Sequence, residues 1–333
     1  TGIPYTEIAI AAIIPAILYF ASVYFMVDFE AAKTGMRGMR EDELPKLRKL
    51  IKQCYLFVPI IILIVALFMG YSVIRAGTLA TISAAVVSWF SPNKMGVALI
   101  LRAMEMASYM AIQIIVVCAA AGVIVGVISL TGVGARFSVL LLDVAATSQL
   151  LALIFAMFIS ILLGMGMPTT AAYAVAASVV APGLVQLGIE PLTAHFFVFY
   201  FAVVSAITPP VALASYAAAG ISGANAMETS VASFRIGIAA FIVPFMFFYN
   251  GALLMNAEWF EIARSLVTAL FGVYILSGGV LGWFADVSAS WITRILLITA
   301  ALLMIEGGWL TDLTGIAMAV AAYVIQRQRR ERP

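Results

Sequence analysis

Charge is scarce in this sequence. Acidic and basic residues make up 10% of the chain, against about 25% in soluble globular domains. With 64% hydrophobic residues and a mean hydropathy of +1.12, there is too little polar surface to wrap a core in water, so lipid must be the solvent. Histidine occurs once, at His195, and cysteine twice, at Cys54 and Cys118. Both cysteines stand in or beside apolar runs with no CxxC partner, and they read as packing residues rather than metal ligands. HExxH, GxSxG and paired intramembrane carboxylates are absent too, which removes the machinery an intramembrane or lipid-modifying enzyme would need. Period-two alternation is missing, which excludes a β-barrel. The apolar residues run instead in blocks near the ~20 residues a helix needs to cross a bilayer. The fold class expected is all-α, a polytopic membrane helical bundle.

The net charge is +2, and the basic residues gather in two places, Lys33 to Lys52 and the tail Arg327, Arg329, Arg330 and Arg332. Neither reads as a nucleic-acid surface. Basic residues flanking apolar spans mark cytoplasmic segments, so the loop 28–53 and the C-terminus are both expected in the cytoplasm. The chain opens on Thr1 and enters an apolar run at once, with no n-region or cleavage site, which reads as a fragment or processed piece.

Spans are expected over Ile8 to Val27, kinked at Pro15, then Tyr55 to Tyr71 and Thr78 to Phe90. An interfacial helix over Lys94 to Met106 should lead into a fourth span, Ser108 to Leu130. Leu150 to Leu163 is too short to cross alone, about 21 Å against a hydrocarbon core near 30 Å. With Ala171 to Leu187 it reads as a re-entrant helical hairpin whose tip is GMGMPTT, residues 164–170. Ala194 to Ile207 and Val211 to Gly220 read as one discontinuous helix broken at Thr208-Pro209-Pro210. Further spans are expected over Phe234 to Leu254, Leu266 to Phe284, Trp291 to Ile305 and Leu310 to Ile325. Counting crossings from a cytoplasmic loop 28–53, with no net crossing at the hairpin, returns the Arg-rich tail to the cytoplasm.

Irregular backbone at membrane depth leaves peptide groups unpaired, at several kcal/mol each in hydrocarbon. Ion-coupled transporters use such breaks: half-helix C-termini offer carbonyls to a cation, and half-helix N-termini favour anions. Gly164 and Gly166 permit close backbone approach, Pro168 stops the helix, and Thr169 and Thr170 supply hydroxyl oxygens. Ser205, Thr208 and the pair Pro209-Pro210 offer the same chemistry in the facing element. Oxygen ligands without a carboxylate suit a hard cation such as Na+ better than a proton relay. The cation-binding candidates are therefore Gly164, Gly166, Thr169, Thr170, Ser205 and Thr208. Pro168, Tyr173, Pro209, Pro210 and Tyr216 are candidates for substrate contact or gating, although an aromatic after a break also serves packing. His195 reads as a helix-start or interfacial residue, Asp143 and Gln149 as lining an aqueous path or lying at the interface, and Arg235 as snorkelling to phosphates.

The run GMGMPTTAAYAVAASVVAPGLVQLGIEPLTAHFFVFYFAVVSAITPPVALASYAAAGISG, Gly164 to Gly223, resembles the second repeat of the large membrane subunit of tripartite ATP-independent periplasmic (TRAP) transporters, the DctM-like permeases. The opening IPYTEIAIAAIIPAILYFASVYFMVDFEAAKTGMRGM resembles the stretch after that family's first repeat, and FRIGIAAFIVPFMFFYNGALL is similar as well. The resemblance implies a sodium-driven, binding-protein-dependent secondary importer of small organic anions, carboxylates, working by elevator-type alternating access in the bacterial inner membrane. Its cofactors would be none beyond Na+ as coupling ion. Its partners would be a periplasmic solute-binding protein, the lipid bilayer, and the N-terminal half of the same permease, with the first repeat and small-subunit helices of a fused type. The domains expected are a scaffold with connecting helices over 1–138, a transport repeat over 139–230, the last helix of the permease core over 231–258, and a three-helix extension over 259–333. The alternatives are another ion-coupled transporter of the same superfamily, an ion channel, or an intramembrane enzyme.

Overall fold

The computed structural model describes residues 1–40, 44, 51, 53–91 and 94–330, and of Glu306, Arg329 and Arg330 the backbone alone. Part of the expected loop 28–53 and the tail residue Arg332 thus lie outside the described residues. Helices α1 (Tyr5–Ala11) and α2 (Ile13–Thr34) meet at Ala12. Pro15 explains the interruption: it has no N–H for the Ala11 carbonyl and its ring crowds that same oxygen. This is the kink expected at Pro15. Six helices of the described chain are long and apolar enough to cross a membrane, and the protein is a polytopic helical membrane protein.

Backbone packing divides the chain into two units, residues 2–9 with 37–116, and residues 1 and 10–36 with 117–333. In the first, a 3-10 turn (Cys54–Phe57) leads into α3 (Val58–Phe68), which packs on α4 (Val73–Ser88). Ser72 caps α4 by accepting from the Arg75 N–H at 3.4 Å. Helix α5 (Val97–Thr131) runs unbroken for 35 residues, where an interfacial helix followed by a separate span was expected. The physical reason is that no proline or glycine falls between Val97 and Ala121. Arg102 and Glu105 lie exposed on its surface and cost it nothing in continuity. Cys54 and Cys118 are both exposed, which corrects their reading as packing residues: in a membrane protein, apolar neighbours in sequence do not imply a protein interior.

The second unit holds α6 (Val133–Thr147), α7 (Gln149–Gly164), α8 (Thr169–Gln186) and α9 (Pro191–Val204), all in mutual contact except α6 with α9. Helix α6 was not foreseen. Its buried residues Phe137, Ser138 and Leu141 lie on one face, and Phe137 stacks on Phe155 of α7 with centroids 5.4 Å apart. Next come α10 (Leu213–Ser222), α11 (Ala226–Ile236), α12 (Ile238–Tyr249) and a 3-10 turn (Gly251–Leu254). Phe197 and Phe201 of α9 pack edge-on against Phe245 of α12.

The chain ends in α13 (Trp259–Leu281), a two-residue-strand hairpin β1 (Trp283–Phe284) and β2 (Val287–Ser288), α14 (Trp291–Glu306) and α15 (Trp309–Arg330). Trp283 pairs antiparallel with Ser288. Helix α13 packs along α2, with Tyr274 between Phe25 and Phe29 at centroid distances of 5.1 and 5.2 Å. The last carbonyls of a helix lack intrahelical donors, and here cations supply them. Arg294 donates to Gly279 O and Val280 O at 2.9 and 2.8 Å, and Lys33 of α2 donates to Leu281 O at 3.1 Å. Both charges also favour a helix C-terminus electrostatically. Gln326 of α15 donates to Val287 O and Ser288 O at 2.9 Å each. Lys33, the end of α13, the strand hairpin and the last turns of α15 therefore occupy one end of the bundle.

At the other end, Arg264 donates to Asp312 Oδ2 at 2.9 Å and to Gly307 O at 2.5 Å, and lies over the Trp309 ring at 4.7 Å. Asp312 is buried. Arg264→Ala should strand that carboxylate and lower the unfolding temperature in detergent, by a loss near the lower end of the roughly 3–5 kcal/mol range for broken buried pairs. Arg264→Met with Asp312→Leu should recover most of it. Thermal unfolding of the two proteins beside the parent checks both statements.

Candidate functional site

The first interruption separates α7 from α8. Ser148 starts α7 by accepting from the Leu151 N–H at 3.4 Å. The helix ends at Gly164, Met165 turns extended, and Gly166 sits at φ +77. A side chain would be strained in that left-handed turn. Pro168 then opens α8 at Thr169. The non-helical tip is therefore Met165–Pro168, shorter than the expected 164–170, because Thr169 and Thr170 already belong to the second limb. Gly164 O accepts weakly from Met167 N at 3.4 Å, and Pro168 O accepts from Ala172 N at 2.9 Å. Among the described residues none donates to the carbonyls of Met165, Gly166 or Met167.

The second interruption follows from two missing donors. Helix α9 tightens into a 3-10 turn (Ser205–Ile207), Thr208 is extended, and a cis bond joins Pro209 to Pro210 before α10 resumes. A regular helix would direct the N–H groups of residues 209 and 210 at the carbonyls of Ser205 and Ala206, but proline has none. Ser205 O instead takes the Thr208 N–H at 3.2 Å. The Thr208 hydroxyl donates to Val204 O at 2.8 Å, and the Ser205 hydroxyl to Ala202 O at 2.6 Å. The carbonyls of Ala206, Ile207 and Thr208 receive no bond from the described residues.

Gly164 brings the two interruptions together. A Cβ there would stand 2.7 Å from Ser205 Oγ and 2.9 Å from Ala202 O, so the absence of a side chain is what lets the end of α7 lie against the end of α9. Gly166 approaches Val211, just past the second break, at 3.6 Å by the same measure. Both hydroxyls of the second break spend their protons on α9 carbonyls, which leaves their oxygen lone pairs as acceptors. Thr169 and Thr170 lie exposed in the first turn of α8, and no hydrogen bond joins them to Ser205 or Thr208. The Tyr216 hydroxyl donates to Pro210 O, so it closes over the proline pair. Tyr173 is hydrogen-bonded to His195.

Sequence reasoning missed Ser215. It is buried in the first turn of α10, and its hydroxyl has no partner among the described residues. The signal was a hydroxyl two residues after the restart at Leu213. Gln149 lines a cavity of about 250 Å³ with Leu187, Glu190, Thr193 and Phe247, at the end of α7 remote from the tip. Asp143 is exposed on α6, and Arg235 on α11.

Placing a methyl group on Gly164 must push α7 away from α9, because the Ala202 carbonyl cannot rotate aside. Gly164→Ala should cost about 1–3 kcal/mol, visible as a lower unfolding temperature. Gly164→Ala with Ser205→Ala should remain destabilised, since the backbone contact persists in that double variant.

A search of curated proteins and a search of solved structures each found no match. The family model described as "Tripartite ATP-independent periplasmic transporter, DctM component" matches residues 1–262. That span takes in both interruptions and the helices that hold them, and it ends four residues into α13. The chain belongs to the DctM family, the large permease component of tripartite ATP-independent periplasmic transporters.

Proposed function

We propose that this permease couples the import of a small organic anion, a carboxylate, to sodium, and receives that anion from a periplasmic solute-binding protein. The observation that carries the reading is the meeting of two helix interruptions at Gly164, with unpaired carbonyls on both sides of the contact. Hydrocarbon cannot satisfy those oxygens, and a hard cation can. Sodium is held by the tip, through Gly164, Gly166 and the hydroxyls of Thr169 and Thr170, and by Ser205 and Thr208 with the carbonyls of Ala206 to Thr208. Thr169 and Thr170 open α8, where free N–H groups and hydroxyls also favour a carboxylate. The ion and the anion thus occupy opposite polarities of the same two breaks, which makes their binding mutually supportive. Pro168, Pro209 and Pro210 fix the breaks, and Tyr216 steadies the second one.

The hairpin α7–α8 enters the bilayer and returns, and it moves with α9 as one body in an elevator-type cycle. The packing of both α6 and α9 against α7 and α8 supports that reading. The end of the bundle that bears Lys33 and Arg327 faces the cytoplasm of a bacterial inner membrane, by the basic-residue rule.

Thr208→Val and Thr169→Val should each raise the sodium concentration for half-maximal uptake by about tenfold, equivalent to ~1.5 kcal/mol for a lost contact to a charge. Insertion into the membrane should be unaffected. Uptake into vesicles holding the reconstituted permease, with its binding protein added outside, measures this. A sodium response identical to the parent's in both variants overturns the site assignment.

A further inference from the structure

The hairpin tip is held against α9 from both of its ends. On the side of the first limb, Gly164 lies on Ala202 and Ser205. On the side of the second limb, the Tyr173 hydroxyl is 2.7 Å from His195 Nδ1, and the Tyr173 ring meets Phe199 edge-on at 5.6 Å. With the ring proton on Nε2, Tyr173 donates and His195 accepts. This is the side-chain hydrogen bond that joins α8 to α9 among the described residues. The rest of the second limb's first turns, Ala171 and Val175, packs with Ala121, Leu163 and Met167. Apolar packing of that kind is non-directional and permits a limb to slide along its neighbour. A hydrogen bond between two rings does not, because it requires one distance and one angle.

We propose that Tyr173 and His195 are positioning residues for the cation site: their hydrogen bond fixes the height of the tip against the second break. The proposal rests on the sodium reading above. Tyr173 lies in the second turn of α8, so a slide of that limb carries Met167 and Pro168 with it. Ala206 to Thr208 lie at the far end of the helix that carries His195. The strut therefore governs the separation of two sets of carbonyls without touching the ion. It also gives Tyr173 a protein partner in place of a substrate.

The test is sodium-dependent uptake by the reconstituted permease with its binding protein, using Tyr173→Phe, His195→Leu and His195→Asn. Asn places its amide oxygen near the position of Nδ1 and keeps an acceptor. The expected result is a half-saturating sodium concentration raised roughly two- to tenfold in the Phe and Leu variants, the range a single neutral hydrogen bond covers. Maximal uptake should be retained, and His195→Asn should return toward the parent. A matching loss should appear in the sodium-induced rise of unfolding temperature of each purified variant, which needs no transport. Unchanged sodium affinity in both Phe and Leu variants, with a parent that responds to sodium, overturns the proposal alone. So does an Asn variant no better than Leu. A parent whose uptake and unfolding temperature both ignore sodium overturns the ion-site reading and this strut with it.

Discussion

A peptide carbonyl in hydrocarbon must find a partner, and the two helix interruptions are where this chain leaves that demand unmet. Helices satisfy it internally, so the apolar blocks become helices almost without regard to the side chains they carry. Met165 to Pro168 and Ser205 to Pro210 are two places in the second unit where the chain leaves the helix altogether and withholds its own donors by means of glycine and proline. The withheld bonds are replaced only in part. Thr208 turns its N–H onto Ser205 O and its hydroxyl onto Val204 O, and Tyr216 covers Pro210 O. Several oxygens remain beyond that repair, and they lie on two segments brought together by one glycine. Two oxygen-rich ends in contact repel one another, so the arrangement favours whatever positive charge lies between them.

The remainder of the structure holds those ends in place. Helix α9 is central: it carries the second interruption, receives Gly164 at its last turn and Tyr173 near its start, and buries Phe197 and Phe201 against α12. Helix α12 in turn packs on α2, and α2 on α13. The charged side chains that bond between helices in the second unit, Lys33, Arg264, Arg294 and Asp312, lie near helix ends, where they cap carbonyls or hold a buried ion pair. This matches the cost of polar groups in lipid, which restricts them to places where backbone valences are already open.

Much of this was legible in the sequence because membrane solvent imposes simple rules. Length of apolar run located α7, α8, α9 and α14 closely, while α13 begins seven residues before and α15 ends five residues after the expected span, and Gly and Pro located both interruptions. What composition could not show was amphipathic detail. Helix α6 buries Phe137 and Leu141 on one face only, too short and too mixed for a span, and α5 continues through charged residues that hydropathy alone reads as an interface. The contact of Gly164 with Ser205 was not legible either, since a glycine in a membrane helix signals close approach without naming what approaches. Tyr173 and His195 were each visible as residues, but twenty-two positions separate them in sequence, and only the crossing of α8 and α9 makes them neighbours. Ser215 was overlooked because a lone hydroxyl in an apolar helix usually bonds its own backbone, and here it does not.

The capping of α13 has a consequence for how the chain is made. Its final carbonyls are satisfied by Arg294, which follows the helix, and by Lys33, which lies 248 residues before Leu281. Because Tyr274 fills the slot between Phe25 and Phe29, α2 can bury that aromatic face only after α13 has been made. Contacts of such separation form late. Residues beyond the family match thus complete the packing of a helix that lies inside it, so that α2 is sheathed by a part of the chain the family pattern does not describe.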